Sequence, residues 1–313
     1  MWGRKRKPYQ SRCCAKEPLS RPLPDEVVVE VQEHPSYRLP EYVSPSQLST
    51  FTKCPLQYWF ASVAGWREPP SLAMITGTLV HDVLEKLMAL PPQARTPDTA
   101  WELLRTLGAK TVDDLPKYGL APAQAKDLKE KSAESLKGYF EIEDPREVPI
   151  DAGGLEQDIR TEISGVRFNG RIDRITEGEV RRVTDYKTGK RPDAAYLPDT
   201  LRQVMLYAAA LASIEKPVDE VELLYLNNAE RVRRPAYTAA IERATSDLVE
   251  NRSRMEGAFS NLAWLATPGG ICRTCAFRSV CPTQHSDTPT PGSSECNSTL
   301  QRQGLSQRLR QAS

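Results

Sequence analysis

The sequence predicts an α/β fold in which a small mixed sheet is flanked by helices. Two adjacent segments, 166–175 and 179–187, alternate apolar and polar residues as strands do, and Gly178 between them supplies the positive φ of a short hairpin loop. Apolar residues recur at helical spacing before this hairpin, in 74–90, and after it, in 201–211. The hairpin is therefore expected at the centre of the sheet, with helices packed around it.

The hairpin also carries the side chains with the clearest chemical potential. Asp173 lies on its first strand, and Asp185 and Lys187 lie on its second. The strand period of two places Asp185 and Lys187 on one face. Two carboxylates beside an amine suit a divalent cation and the hydrolysis of a phosphodiester. An Asp and a Lys two residues apart are also an ordinary solvated pair, so this motif alone does not decide between the two interpretations.

Composition bounds the class of protein. The chain of 313 residues is 39% hydrophobic and 27% charged with a net charge of +1, which is typical of a globular protein. No apolar run approaches the roughly 20 residues of a membrane helix, and no apolar segment follows the basic residues 4–7 as it would in a secretory signal. We therefore expect a cytoplasmic protein without membrane association.

The chain divides into three regions. Residues 1–41 form a basic extension, predicted to be partly disordered, that either contacts phosphates or is simply solvated. Residues 42–283 form the globular domain, with a helical insertion at about 92–145 and a cysteine-rich segment at 270–283. Residues 284–313 are rich in Ser, Thr, Gln and Pro, which predicts a disordered polar tail.

Three of the seven cysteines, Cys272, Cys275 and Cys281, have the spacing of metal ligands. Cys54, which precedes a proline as Cys281 does, would complete a set of four, although a lone Cys in an apolar helix is more often a core residue. Four thiolates suit either zinc or an iron–sulfur cluster, and this set would join the start of the domain to its end. Cys296 in the polar tail is predicted to be a bystander.

Two residue pairs on predicted helices have an open interpretation. His81 and Glu85 stand four residues apart and share a helix face, so His81 is either a surface partner of Glu85 or a metal ligand. Gln203 and Tyr207 have the same spacing and form either a solvated helix edge or part of a site.

Taken together, these residues resemble one group of nucleases. The motifs follow one another as Cys54-Pro-x-x-Tyr58, Gly77-x3-His81-x3-Glu85, Gly170-x-x-Asp173, Asp185-Tyr-Lys187-Thr-Gly, Gln203-x3-Tyr207 and Cys272-x2-Cys275-x5-Cys281-Pro. This order resembles the RecB-like branch of the PD-(D/E)XK nucleases, specifically its iron–sulfur group. That group contains the CRISPR adaptation nucleases, the AddB nuclease domain and eukaryotic exonuclease V. The resemblance covers about residues 42–283.

The resemblance implies a restriction-endonuclease-like core and a role for each site residue. Asp173 and Asp185 would bind Mg²⁺ or Mn²⁺, helped by His81 and the main-chain carbonyl of Tyr186. Lys187 would orient the attacking water and stabilise the charge that builds on the phosphate. Gln203 and Tyr207 would help to hold the active site and the DNA.

The resemblance also assigns the thiols, since Cys54, Cys272, Cys275 and Cys281 would hold a [4Fe–4S] cluster. Two departures from the family pattern stand out. Asp173 is preceded by Arg-Ile rather than by the Pro of the family name, and Asp185 stands where many members have Glu. The family pattern tolerates both.

By resemblance, the protein is expected to be a metal-dependent DNA exonuclease of repair or recombination, with single-stranded DNA as its substrate. One alternative is a nuclease or DNA-binding subunit among CRISPR adaptation proteins. Another is a nuclease that works beside a separate helicase, since the chain has no Gly-x4-Gly-Lys-Ser/Thr phosphate loop. The set of two acids and a lysine argues against a pure binding module, which would not need it.

Overall fold

The computed structural model describes residues 26–194 and 197–309. The helices are α1 (Pro45–Lys53), α2 (Pro55–Tyr58), α3 (Leu72–Met88), α4 (Pro97–Asp114), α5 (Ala125–Ile142), α6 (Leu197–Ser213), α7 (Thr238–Ser260) and α8 (Ser294–Arg302). The strands are β1 (Val27–Glu30), β2 (Trp66–Arg67), β3 (Ile150–Ile163), β4 (Val166–Thr176), β5 (Arg182–Lys187), β6 (Glu220–Tyr225), β7 (Glu230–Pro235), β8 (Ala263–Ala266) and β9 (Ser306–Gln307).

The central sheet has five strands in the order β3-β4-β5-β6-β7. Strands β5 and β6 are parallel and all other neighbours are antiparallel, so the sheet is mixed as predicted. The parallel pair needs a crossover connection, and α6 provides it. The predicted hairpin is β4 and β5, but β5 begins at Arg182 rather than at residue 179, because the connection that contains Gly178 (φ +128°) is longer than a tight turn.

Helices cover the sheet in two groups, each with its own apolar cluster. Helices α1, α6 and α7 pack together, and α6 also contacts β3 and β6. Helices α3, α4 and α5 pack together against Tyr186, Leu224 and Leu226. The predicted helical insertion is thus α4 and α5, and with α3 it covers one side of the domain. This arrangement confirms the predicted α/β fold with a central mixed sheet flanked by helices.

The C-terminal end of the chain differs from prediction, whereas the N-terminal extension was predicted to be only partly disordered. Residues 1–25 of the basic extension lie outside the described residues, but β1 within that extension pairs with β8. The segment predicted as a disordered tail contains α8 and β9, and β9 pairs with β2. Cys296 and Leu300 stand one helical turn apart on α8 and are both fully buried. The polar composition concealed this two-residue apolar stripe, so the disorder prediction is wrong for residues 294–307.

Among the described residues, no helix is both long enough and apolar enough to cross a membrane.

Candidate active site

Asp173 and Asp185 lie on the two strands of the central hairpin, close to where their pairing ends. Regular pairing of β4 with β5 runs from Arg174 opposite Thr184 to Thr176 opposite Arg182. Just beyond it, the Tyr186 N–H donates to Asp173 Oδ2 at 2.6 Å. Asp173 is 8% exposed and Asp185 3% exposed, so both carboxylates are largely removed from water. Two buried carboxylates require compensation by hydrogen bonds or positive charge.

Lys187 and Gln203 of α6 compensate Asp185, and Tyr207 of α6 contacts Gln203. Lys187 Nζ lies 2.8 Å from Asp185 Oδ2 and donates to Gln203 Oε1 at 2.9 Å. The Gln203 amide nitrogen donates to Asp185 Oδ1 at 2.7 Å and lies 3.2 Å from the Tyr207 hydroxyl. Asp185, Lys187, Gln203 and Tyr207 therefore form one polar network. Gly170 makes room for it, because a Cβ there would lie 2.6 Å from Tyr207 Cε1.

His81 reaches the same place from α3. Its Nε2 lies 3.1 Å from the Tyr186 carbonyl oxygen, and its Nδ1 lies 3.5 Å from Asp173 Oδ1 and 3.7 Å from Glu156 Oε1. The imidazole therefore faces the carboxylates of the sheet. This is the arrangement expected if His81 belongs to the site, as opposed to the surface pair with Glu85.

Glu156 is a site residue that the sequence analysis did not identify. It lies on β3 directly opposite Asp173, because Leu155 pairs with Arg174 and Gln157 with Ile172. A signal for it existed in the two-residue turn Ser164-Gly165, where both residues have positive φ (48° and 83°). Such a turn fixes the register of a hairpin, and counting back from it along both strands brings Glu156 opposite Asp173.

Electrostatic interactions in the site link its carboxylates to the side chains of His81 and Lys187. Burial and the neighbouring Asp185 carboxylate raise the pKa of Asp173, although His81 and the Tyr186 N–H act in the opposite direction. Burial alone would lower the pKa of His81, but its contacts with Asp173 and Glu156 raise it to about 10. Burial likewise opposes the charge of Lys187, yet Asp185 raises the pKa of Lys187 overall. Protonated His81 and Lys187 thus face the carboxylates.

Three of these side chains fit a divalent cation. One ligand atom from each of His81, Glu156 and Asp173 lies within 4.8 Å of the others, and within the described ranges they form the one such group of three or more potential ligands. Carboxylate oxygens with an imidazole nitrogen suit a hard or borderline ion such as Mg²⁺ or Mn²⁺. The donor set therefore fits a divalent metal ion.

The four predicted thiol ligands also come together, in a cavity of their own. Cys54 lies between α1 and α2, and it lines one cavity with Cys272, Cys275 and Cys281. Burial raises the pKa of the Cys275 thiol to about 11, and the other three cysteines add to the shift. Phe60 and Phe277 stack beside them with ring centroids 4.7 Å apart. Cys296 does not line this cavity.

Residues 42–282 of the chain match the family model of the PD-(D/E)XK nuclease superfamily. The chain belongs to this superfamily. Its members hydrolyse phosphodiester bonds with divalent metal ions, which agrees with the predicted class of activity and with the donor set of His81, Glu156 and Asp173. The match spans the segment from α1 to the cysteine-rich turn.

Solved structures give more distant similarities. A candidate exonuclease from Eubacterium rectale is 14% identical to this nuclease with a TM-score of 0.46, over 75% of this chain and 88% of the other. A protein named SSO0001 is 15% identical with a TM-score of 0.32, over 79% of this chain and 89% of the other. A search of the curated proteins found no match.

In the His81→Gln variant, which removes the ion pair between His81 and Asp173, a further change of Asp173 to Asn should stabilise the metal-free nuclease at pH 8. Because burial and the Asp185 carboxylate raise the pKa of Asp173 in the folded state, the free energy of unfolding of the His81→Gln protein falls as pH rises from the ordinary Asp value, about 4, through the raised one. Asn cannot ionise, so the gain should be on the order of 1 kcal/mol at pH 8 and vanish near pH 4. Urea unfolding at both pH values, with a chelator present, measures it.

Asp158→Asn is the matched control, because Asp158 is exposed and its pairing with Arg171 lowers its pKa. This change should not stabilise the protein at either pH. If Asp173→Asn destabilised the His81→Gln protein at pH 8, the electrostatic description of the site would be contradicted.

Proposed function

We propose that this chain is a RecB-like, metal-dependent exonuclease that degrades single-stranded DNA in DNA repair or recombination. Membership of the superfamily supports a nuclease, and the order of the sequence motifs supports the RecB-like branch. The observation that carries the proposal is the convergence of Asp173, Asp185 and Lys187 from two strands with His81 from a helix on one buried site.

In this proposal Asp173, Asp185, His81 and the Tyr186 carbonyl would hold Mg²⁺ or Mn²⁺. A bound ion supplies Lewis-acid activation of the phosphate and lowers the pKa of a bound water. Glu156 would add a third carboxylate opposite Asp173. The carboxylates and the imidazole would thus together position the ion beside the scissile phosphate.

Lys187 and α6 would act on the reacting groups themselves. The ammonium of Lys187 would orient the attacking water and stabilise the negative charge that builds on the phosphate. The Gln203 amide holds that ammonium through its oxygen and holds Asp185 through its nitrogen. Tyr207 fixes the same amide from one turn further along α6. This network keeps the lysine in one orientation before substrate arrives.

Lys187→Ala should slow cleavage by on the order of 10²-fold or more while leaving DNA affinity nearly unchanged. The reason is that its charge acts mainly on the transition state. Lys187→Arg should not restore the full rate, because a planar guanidinium does not replace a compact ammonium in a small site. Cleavage of single-stranded DNA is measured in Mn²⁺, and DNA binding in Ca²⁺.

Lys190→Ala is the matched control, since Lys190 is exposed three residues further along the chain. An unchanged cleavage rate in Lys187→Ala would exclude the assignment. The assay contains no second protein, so it also separates an autonomous exonuclease from one that works only beside a helicase or CRISPR adaptation proteins.

We further infer that Cys54, Cys272, Cys275 and Cys281 hold a [4Fe–4S] cluster. All four line one cavity, and the order of the sequence motifs resembles that of the iron–sulfur group. Four thiolates bind either a zinc ion or an iron–sulfur cluster, so the content of iron, zinc and sulfide distinguishes the two.

Protein purified without oxygen should contain iron and acid-labile sulfide and absorb broadly in the visible range. Cys275→Ser should remove both and lower stability, because one thiolate ligand is lost. Cys296→Ser is the control and should retain the full iron content, since Cys296 lies outside the cavity. Stoichiometric zinc without sulfide would contradict the cluster.

A further inference from the structure

Two grooves meet at helix α1. The first, of about 590 Å³, lies between α1 and α6 and has Lys187 and Gln203 in its wall. The second, of about 460 Å³, lies on the other side of α1 and is lined by Tyr42, Arg67, Arg160 and Asn169 among others. Ser46 and Thr50 line both grooves, so the two form a continuous path from the active site across α1.

We infer that a single DNA strand follows this path and that Tyr42 and Arg160 form a binding subsite for it beyond the cleavage site. The inference rests on the proposed function, because it extends the substrate of that site along the protein surface. It names the part of the substrate that the second groove would bind, namely an unpaired base with its adjacent phosphate.

The charges that line the path suit a polyanion. In the first groove Lys187 is paired with Asp185, and Arg202 with Asp199 and Asp247, so Lys53 is the cation that adds positive charge there. In the second groove Arg67 and Arg160 are present and no carboxylate belongs to the lining. Positive charge is thus concentrated in the second groove, although the whole chain has a net charge of only +1. Local concentration of positive charge is the main source of affinity for a phosphate backbone.

Tyr42 and Arg160 lie together in the second groove, and we call this pair the platform. The guanidinium carbon of Arg160 lies 5.9 Å from the centre of the Tyr42 ring, within the range of a cation–π contact. Arg160 is on β3 directly opposite Asn169 of β4. An aromatic ring with a guanidinium is the surface on which proteins stack unpaired bases. A base in a duplex is already stacked and paired, so the platform selects a single strand.

The main chain holds this platform in place. Val43, next to Tyr42, donates from its N–H to the Arg167 carbonyl at 2.9 Å and accepts from the Asn169 N–H at 3.2 Å. Tyr42 is thereby joined to β4, the strand that carries Asp173. The platform and the catalytic carboxylate therefore belong to one rigid unit, which is what a subsite needs in order to set the position of the strand.

The part of α1 that lies between the two grooves can contact the phosphate backbone of the DNA strand. Helix α1 carries Ser46, Ser49 and Thr50, which belong to the lining of the first groove. Hydroxyl groups are common ligands of phosphate oxygens in nucleic-acid complexes, where they set register without reading the base. The path thus offers phosphate contacts over α1 and base stacking at its far end.

The test measures binding by fluorescence anisotropy in Ca²⁺, with a labelled oligo(dT) of about 20 nucleotides, long enough to occupy both grooves. Tyr42→Leu and Arg160→Gln should each raise the Kd about tenfold, the effect expected for the loss of one stacked base or one charged contact. Arg160→Gln should also reduce the slope of log Kd against log salt by about one. Tyr42→Phe, which keeps the ring, should bind within about twofold of the wild type.

Arg105→Gln is the matched control for charge, because Arg105 is exposed on α4 and lines neither groove. It should leave the Kd for the oligonucleotide unchanged. Hydrolysis of bis(p-nitrophenyl) phosphate, which is too small to reach the platform, should proceed at the wild-type rate in every variant. If Tyr42→Leu does not fold, the Kd of Arg160→Gln alone tests the subsite.

A Kd within about twofold of the wild type for the folded variants would overturn the subsite. The proposed function fails separately. Wild-type protein that binds the strand but does not cleave it in Mn²⁺ would refute the exonuclease and leave the subsite standing. If the wild type cleaves the DNA strand and the variants bind it with an unchanged Kd, the subsite is refuted and the exonuclease stands.

Discussion

The arrangement of the site depends on one constraint, the burial of two carboxylates where β4 and β5 meet. Asp173 is held by the Tyr186 N–H and by His81, and Asp185 by Lys187 and Gln203. Without these partners, two like charges in a largely dry place would be strongly unfavourable. The same constraint explains why residues from α3 and α6 both reach the hairpin, since each helix supplies the compensation for one carboxylate.

A second buried network, of ion pairs and hydrogen bonds around Arg174, lies next to the carboxylate site. Arg174, next to Asp173 in sequence, is fully buried and pairs with Glu143 and Glu222, and its guanidinium also donates to the Tyr186 hydroxyl at 3.1 Å. Tyr186 is therefore fixed by its side chain on one side, while its peptide N–H and carbonyl contact Asp173 and His81. Removing one partner of such a network leaves an uncompensated buried charge, so the network is costly to alter. It fixes the position of the Tyr186 carbonyl that the proposed metal site uses.

Much of this arrangement could be predicted because it follows from local periodicity. Alternating residues predicted the hairpin, and the strand period placed Asp185 and Lys187 together, as their shared contact with Gln203 requires. Glu156 was missed because its place depends on strand register, which periodicity does not report. The ordered segment at 294–307 was missed because only Cys296 and Leu300 of α8 are buried, too few to change an average composition. Contacts of this kind are decided by tertiary packing.

The structure also changes the expected role of the cysteines. The thiols were predicted to join the start of the domain to its end, and the chain ends also meet through β1 with β8 and through β2 with β9. Arg308 adds a main-chain hydrogen bond to Gly65, and an added Cβ at Gly65 would lie only 2.3 Å from the Arg308 carbonyl oxygen. The N-terminal and C-terminal regions of the domain are thus held together by strand pairing. A cluster bound to the four thiols would add a further link between the same two regions.

The claim that most needs testing is that His81 and the carboxylates bind one cation. Electron paramagnetic resonance of the protein titrated with Mn²⁺ tests it directly, with pulsed detection of ¹⁴N coupling. We expect one bound Mn²⁺ that couples to a single imidazole nitrogen, and the coupling should disappear in His81→Gln while remaining in variants of the other two histidines, His34 and His285. Bound Mn²⁺ without nitrogen coupling, or coupling that persists in His81→Gln, would contradict it.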